Sequence, residues 1–152
     1  MESHEPVDLA ELLADLETPL RRALVVRFGV DVGTDTCRDA IAWGWEHADQ
    51  VAAADNPAGL LYRVAQSKSR RYLRWRRPLD LPAEHVLPDH AHEPQLPAAL
   101  ARLSDAQRVA VVLVHGYRYS YAEVADVLGV PVSTVRNHVH RGLDRLRNHL
   151  EH

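Results

Sequence analysis

Apolar residues recur at helical spacing in successive segments of this 152-residue chain, and nowhere do they alternate with period two over a useful length. The pattern therefore predicts an all-α fold. Residues 8–28 are rich in Leu, Ala and Val, and Thr18-Pro19 reads as an N-cap followed by a first-turn proline, so two helices are expected at about 7–16 and 19–28. Residues 29–34 read as a turn. A third helix is expected from Asp35 to about Asp49, with Ile41, Trp45 and Ala48 on one face. Asn56-Pro57 opens a fourth, which can run to Arg76 with Leu60, Leu61, Val64 and Leu73 inward. Pro78, Pro82, Pro88, Pro94 and Pro97 then interrupt the periodicity. Ser104 and Gln107 form a capping box for a helix that carries Ala110 to Val114 and ends at Gly116.

The last third has the most specific pattern. Ser120 and Glu123 make a second capping box, and Val124, Ala125 and Leu128 share a face of the short helix that follows. Gly129 stands where a left-handed residue usually closes a helix, Val130 can plug the corner, and Pro131 fixes the entry to the next element. Val135, Val139, Leu143, Leu146 and Leu150 then form a long amphipathic stripe. The order of capped helix, glycine corner and second helix with a hydroxyl-rich start is that of a helix-turn-helix, whose second helix enters the major groove. Arg136 is placed to contact guanine and Asn137 adenine, each with two hydrogen bonds. Ser133 and Thr134 can hold phosphate at the helix N-terminus, and His140 and Arg141 extend the same polar face. A helical hairpin with a charged solvent face would share the glycine corner, but not the combination of cap, small residue, hydroxyls and basic positions.

Net charge changes little in this picture, being −3, but its distribution matters. Lys68, Arg70, Arg71, Arg74, Arg76 and Arg77 lie in a run without an acidic residue, interleaved with Tyr72 and Trp75. Such a surface can neutralise phosphates while an aromatic stacks on an unpaired base. From Pro78 to Gln95 the sign reverses: Asp80, Glu84, Asp89 and Glu93 occur without Lys or Arg. Prolines and charge together predict a linker at 78–95 between helical domains at 1–77 and 96–152. Each would bury only about 60% of its unfolded surface, so docking between them or on a partner is expected.

Two helical units with a helix-turn-helix last resemble the extracytoplasmic-function (ECF) sigma factors of the sigma-70 family. The resemblance is strongest from Leu96 onward. There Leu103-Ser-Asp-Ala-Gln-Arg, Tyr119-Ser-Tyr-Ala-Glu-Val-Ala-Asp-Val-Leu-Gly-Val and Thr134-Val-Arg-Asn-His-Val-His-Arg-Gly-Leu are similar to conserved region 4, which reads the upstream (minus thirty-five) promoter element. The first half resembles region 2: Asp35-Thr-Cys-Arg-Asp-Ala-Ile-Ala-Trp matches the helix that family members press on the polymerase clamp, and Asn56-Pro-Ala-Gly-Leu-Leu-Tyr-Arg-Val-Ala the start of the helix that melts and reads the downstream (minus ten) element. The resemblance implies polymerase contact through Asp35, Arg38 and Asp39. It implies capture of the downstream strand through Lys68, Arg70, Arg71, Tyr72, Arg74 and Trp75. This half departs from the family pattern, with Arg38-Asp39 where Gln-Glu is usual, Leu60 where Trp is usual, and Ser67 and Arg71 in place of an Asn and Asp pair.

The implied function is promoter recognition and transcription initiation in the cytoplasm, with promoter DNA and RNA polymerase core as partners, an anti-sigma factor as a further one, and no cofactor. The alternatives are a sigma-like DNA-binding regulator that does not melt promoters and a protein-interaction module held by an anti-sigma factor. No nucleophile–base pair, phosphate loop or metal-ligand spacing points to an enzyme. Ten histidines, among them His85, His90, His92, His138, His140 and His149, lack the cysteine partners or helical Glu-x-x-His pairs of a zinc site. Cys37, the only cysteine, is expected to be a buried apolar residue beside Trp45. No apolar run is long enough for membrane insertion, and the N-terminus lacks a signal-peptide pattern.

Overall fold

The computed structural model describes residues 8–73, 79, 81 and 93–151. These form α1 (Leu9–Phe28), α2 (Val30–Glu46), α3 (Ala48–Ala53), α4 (Pro57–Tyr72), α5 (Leu96–Ala101), α6 (Asp105–Val111), a π-helical turn at Val112–Gly116, α7 (Tyr121–Leu128) and α8 (Val132–Glu151). The fold is all-α, as the periodicity predicts, and the described residues contain no strand.

The first two expected breaks fall elsewhere. Thr18-Pro19 does not separate two helices, because α1 runs through Pro19 without interruption. An internal proline removes one helical hydrogen bond, at about 3 kcal/mol. Burial offsets this: Leu13, Leu20, Ala23, Leu24 and Val26 make one apolar stripe across the proline and are almost completely enclosed. The expected turn at 29–34 contracts to a single residue. Gly29 adopts φ 92° and ψ 169°, donates to the Val25 carbonyl at 2.8 Å and accepts from the Gly33 amide at 2.8 Å, closing α1 and opening α2. The third helix therefore starts at Val30, not Asp35. Gly33 lies where α1 and α2 cross, and a Cβ there would be 2.5 Å from the Val25 backbone.

Asn56 caps α4 as the sequence predicts, accepting from the Gly59 amide at 3.2 Å. Leu61, Tyr62 and Ala65 are buried on α4, with Leu60 and Val64 partly so. Leu73 is 46% exposed and is not a core residue. Trp45 is also turned outward, 52% exposed, because α2 presents Cys37, Ala40 and Gly44 to the core instead. Cys37 is buried as expected, but its thiol points to the Glu17 carbonyl at 3.8 Å. Burial pushes this thiol up to about 11, with a smaller push from Glu17.

The halves on either side of residue 78 are not separate in space. Buried residues of α1, α2 and α4 join those of α5 to α8 in one hydrophobic cluster, which Leu81 also enters. Helix α1 packs on α6 and α7, and α4 packs on α7. Arg108 of α6 is only 3% exposed, beneath the C-terminal end of α1.

Candidate nucleic-acid interface

The helix-turn-helix is α7, its corner and α8. Ser120 and Glu123 make the reciprocal capping box at 3.0 and 3.1 Å. Gly129 takes the left-handed conformation, φ 68° and ψ 37°. Its amide donates to the Asp126 carbonyl and that of Val130 to the Ala125 carbonyl, the paired bonds of a Schellman ending. Pro131 then presents its carbonyl to the amides of Thr134 and Val135, starting α8.

On α8 the buried positions are Val135, Val139 and Gly142, spaced four and three apart. Ser133, Arg136, Asn137, His140 and Arg141 lie on the opposite side and are exposed, while Thr134 is half-buried at its edge. The first acidic residue of α8 is Asp144, which pairs with Arg147 at 3.7 Å. The first three turns, residues 132–142, thus carry Arg136 and Arg141 and no acidic residue. The Arg136 guanidinium sits 5.6 Å from the Tyr121 ring centre, a contact that orients it without neutralising it. Arg145 plays a structural part, donating to Gln107 Oε1 at 3.0 Å and to the Arg102 carbonyl at 3.1 Å and so holding α8 on α5 and α6. All six residues expected at the upstream element are therefore on one helix, and five form one exposed stripe.

The second cationic surface is built differently. Lys68, Arg70, Arg71 and Tyr72 occupy the last turns of α4, whereas Arg74 and Trp75 lie outside the described residues. Arg71 donates to Asp39 Oδ2 at 2.6 Å, the Tyr72 hydroxyl donates to the same oxygen at 2.7 Å, and Arg71 also reaches the Tyr72 oxygen at 3.2 Å. Burial pushes the Asp39 carboxyl up, but the Tyr72 and Arg71 hydrogen bonds and the nearby cations outweigh it and hold the carboxyl below the usual range. The hydrogen bond to Asp39, together with burial, raises the Tyr72 hydroxyl. Two sets expected in different roles, polymerase contact and strand capture, thus meet at Asp39. Arg38, by contrast, is exposed, and shares the outer face of α2 with Ala42 and Trp45 at helical spacing.

Two placements in the structure are not apparent from the periodicity of the sequence. Trp45 belongs to the outer face of α2, although an aromatic at core spacing gives no sign of that. Arg108 is a charged residue at the head of the apolar run 109–114, and that placement is the signal by which it could have been found. Among the described residues no group of metal-ligating side chains is assembled, and no helix is long and apolar enough to cross a membrane. His85, His90 and His92 lie outside the described residues.

These features define a helix-turn-helix protein with a cationic, solvent-facing recognition helix. Residues 94–146 match the family described as Sigma-70, region 4. The chain is 32% identical over 126 residues to an RNA polymerase sigma-E factor of Streptomyces avermitilis, covering 77% of this chain and 70% of that one. It is 34% identical over 116 residues to the corresponding factor of Streptomyces antibioticus, covering 70% of this chain but 62% of the relative's length. A 39% identical stretch of 75 residues spans 29% of the ECF RNA polymerase sigma factor SigE of Mycolicibacterium smegmatis. In fold, the chain is similar to the sigma factor RpoE of Bartonella quintana, solved with the anti-sigma factor NepR. The TM-score is 0.64 at 22% identity, over 95% of this chain and 97% of that one. The chain belongs to the ECF sigma factors of the sigma-70 family.

Proposed function

We propose that this chain directs RNA polymerase core to promoters in the cytoplasm, reading the upstream element with α8 and engaging polymerase and opened DNA with α2 and α4. The observation that carries this reading is the stripe of Ser133, Arg136, Asn137, His140 and Arg141 on α8. Its side chains are exposed, its arginines form no ion pair among the described residues, and it begins at a helix N-terminus, as major-groove reading requires. Arg136 and Asn137 specify bases, Ser133 and Thr134 position the phosphate backbone, and His140 and Arg141 extend the contact. On α2, the outer face with Arg38 and Trp45 meets polymerase, next to Asp35 and Asp39. The test is co-purification: the chain mixed with core polymerase elutes as a complex that retains promoter duplex, and Arg136→Ala loses the duplex but not the polymerase. Elution apart from polymerase at low and moderate salt overturns the proposal.

One observation favours a second reading, a sigma-like regulator that binds promoters without melting them. Arg71 and Tyr72, both expected to hold the opened strand, are tied to Asp39. Under this reading the chain binds duplex through α8 but forms no stable polymerase complex. A tightly bound protein of the kind seen on the Bartonella factor, an anti-sigma factor, is a partner under either reading.

A further inference from the structure

The turn before the helix-turn-helix holds its backbone in a conformation that its sequence does not favour. Among the described residues Arg118 is the only one other than glycine with a positive φ, 62°. The left-handed region drives a Cβ against the following carbonyl oxygen, so it strains a residue with a side chain and leaves glycine unstrained. Asn and Asp can offset the strain through a local hydrogen bond, which a long arginine side chain does not offer. The backbone on either side imposes the conformation. The Tyr117 amide donates to the Val112 carbonyl at 3.1 Å and the Tyr119 amide to the Leu113 carbonyl at 2.9 Å, so the π-helical turn closes and the chain turns toward α7 around residue 118. A glycine stands nearby, but at 116, inside the π-helical turn, where the left-handed conformation is not used. Backbone strain of this kind clusters at ligand clamps and switch segments, where the function of the side chain offsets it.

What arginine adds at this position is a free positive charge. Its side chain is exposed, while Tyr117 and Tyr119 on either side are half-buried. It has no ion pair and no hydrogen bond with another described residue. Three residues on, the Tyr121 ring is 5.6 Å from the Arg136 guanidinium, so the start of α7 abuts the exposed stripe of α8. Three residues span at most about 11 Å. Arg118 therefore stands beside the recognition helix and not on it. With α8 in a major groove about 12 Å wide, the strand that flanks it presents phosphate oxygens at that offset, and the helix before the recognition helix crosses that strand. We infer that Arg118 is a phosphate contact, held beside α8 by a strained turn, that widens the duplex footprint of the helix-turn-helix by one phosphate. The inference rests on the proposed reading of promoter DNA by α8. Unlike Arg136, Arg118 adds affinity without base preference.

The test measures how tightly the chain, assembled with polymerase core, holds a promoter duplex across a range of salt concentrations. Arg118→Gly is expected to weaken binding of the duplex roughly five- to tenfold at about 0.1 M salt, and to reduce the slope of log affinity against log salt by about one, the amount due to one phosphate. The loss is expected to be the same for every single-base variant of the upstream element, whereas Arg136→Ala loses preference at one position. Arg118→Lys keeps the charge and is expected to stay within about twofold of wild type. Thermal denaturation separates the contact from folding: Arg118→Gly removes the strain and is expected to melt at the same temperature as wild type or above it. Neutral methylphosphonates placed one at a time along the duplex are expected to reveal one position whose replacement weakens wild type and leaves Arg118→Gly unaffected. Unchanged affinity and salt slope in Arg118→Gly, an equal loss in Arg118→Lys, a lower melting temperature in Arg118→Gly, or no such phosphate overturns the proposal, while the loss in Arg136→Ala leaves the promoter reading in place. A wild-type complex that does not retain the duplex overturns that reading, and the contact with it.

Discussion

The two cationic surfaces of this chain start from the same residue types and end in opposite states. On α8, Arg136 and Arg141 stand on a helix whose first three turns hold no anion, so their charge faces solvent. On α4, Arg71 and Tyr72 converge on one carboxylate contributed by α2. A basic run in sequence therefore does not by itself define a nucleic-acid surface; what matters is which acidic residue the fold brings beside it. Under the proposed function, α8 is presented ready to bind, whereas Arg71 and Tyr72 of α4 must first give up Asp39.

The largest expected effect tests whether the two regions are thermodynamically separate. Leu24 is fully buried on α1 and shares a cluster with Val124 and Leu113 of the other half. Leu24→Ala is expected to lower stability by about 2–5 kcal/mol, in one cooperative denaturation transition seen equally by probes in both halves. Two transitions, with only the first shifted, would show two independent domains instead. Next in size is Arg136→Ala, expected to weaken upstream duplex binding by about 1–3 kcal/mol and to relax preference at one base position. A titration across single-base variants checks it, and uniform weakening would move Arg136 from base reading to phosphate contact.

A smaller effect comes from the cap that aims the recognition helix. Ser120→Ala removes the acceptor for the Glu123 amide and is expected to lower thermal stability by about 1 kcal/mol. Smaller still, Asp39→Asn is expected to tighten binding to single-stranded DNA severalfold, measured by fluorescence anisotropy, and to leave duplex binding by α8 unchanged. Equal affinities before and after would show that Arg71 and Tyr72 do not hold the strand. The same carboxylate sets a slight acid sensitivity. Its value in the folded chain is depressed, so its contribution is complete above the unfolded value of about 4 and disappears as pH falls through the folded one. Acid titration should therefore show a slightly smaller loss for Asp39→Asn than for wild type, in keeping with an exposed pair.

The helix-turn-helix was legible almost residue by residue, because capping boxes and a left-handed glycine are local chemistry. Ser120, Glu123, Gly129 and the Val135–Val139 stripe stand where the pattern puts them. The first half was less legible, since its breaks are decided by tertiary packing. Pro19 stays inside α1 because the stripe from Leu13 to Val26 must face α2 along its whole length, and Gly29 alone makes the turn. Trp45 and Leu73 read as core from spacing, yet the small residues Ala40 and Gly44 let α2 pack closely and leave the tryptophan outside. The Asp39–Arg71 pair spans two helices, and Arg108 meets carbonyls more than 80 positions away. Local periodicity gives neither partner, although the place of Arg108 at the head of the apolar run 109–114 marks it as unusual.

The decisive experiment is run-off transcription with purified core polymerase. With a promoter template bearing both elements, the wild-type chain is expected to yield a transcript with a fixed start site, and Arg136→Ala to lose most of it. Stable binding to promoter duplex with no transcript at any salt concentration would contradict a role in initiation and leave a DNA-binding regulator in its place.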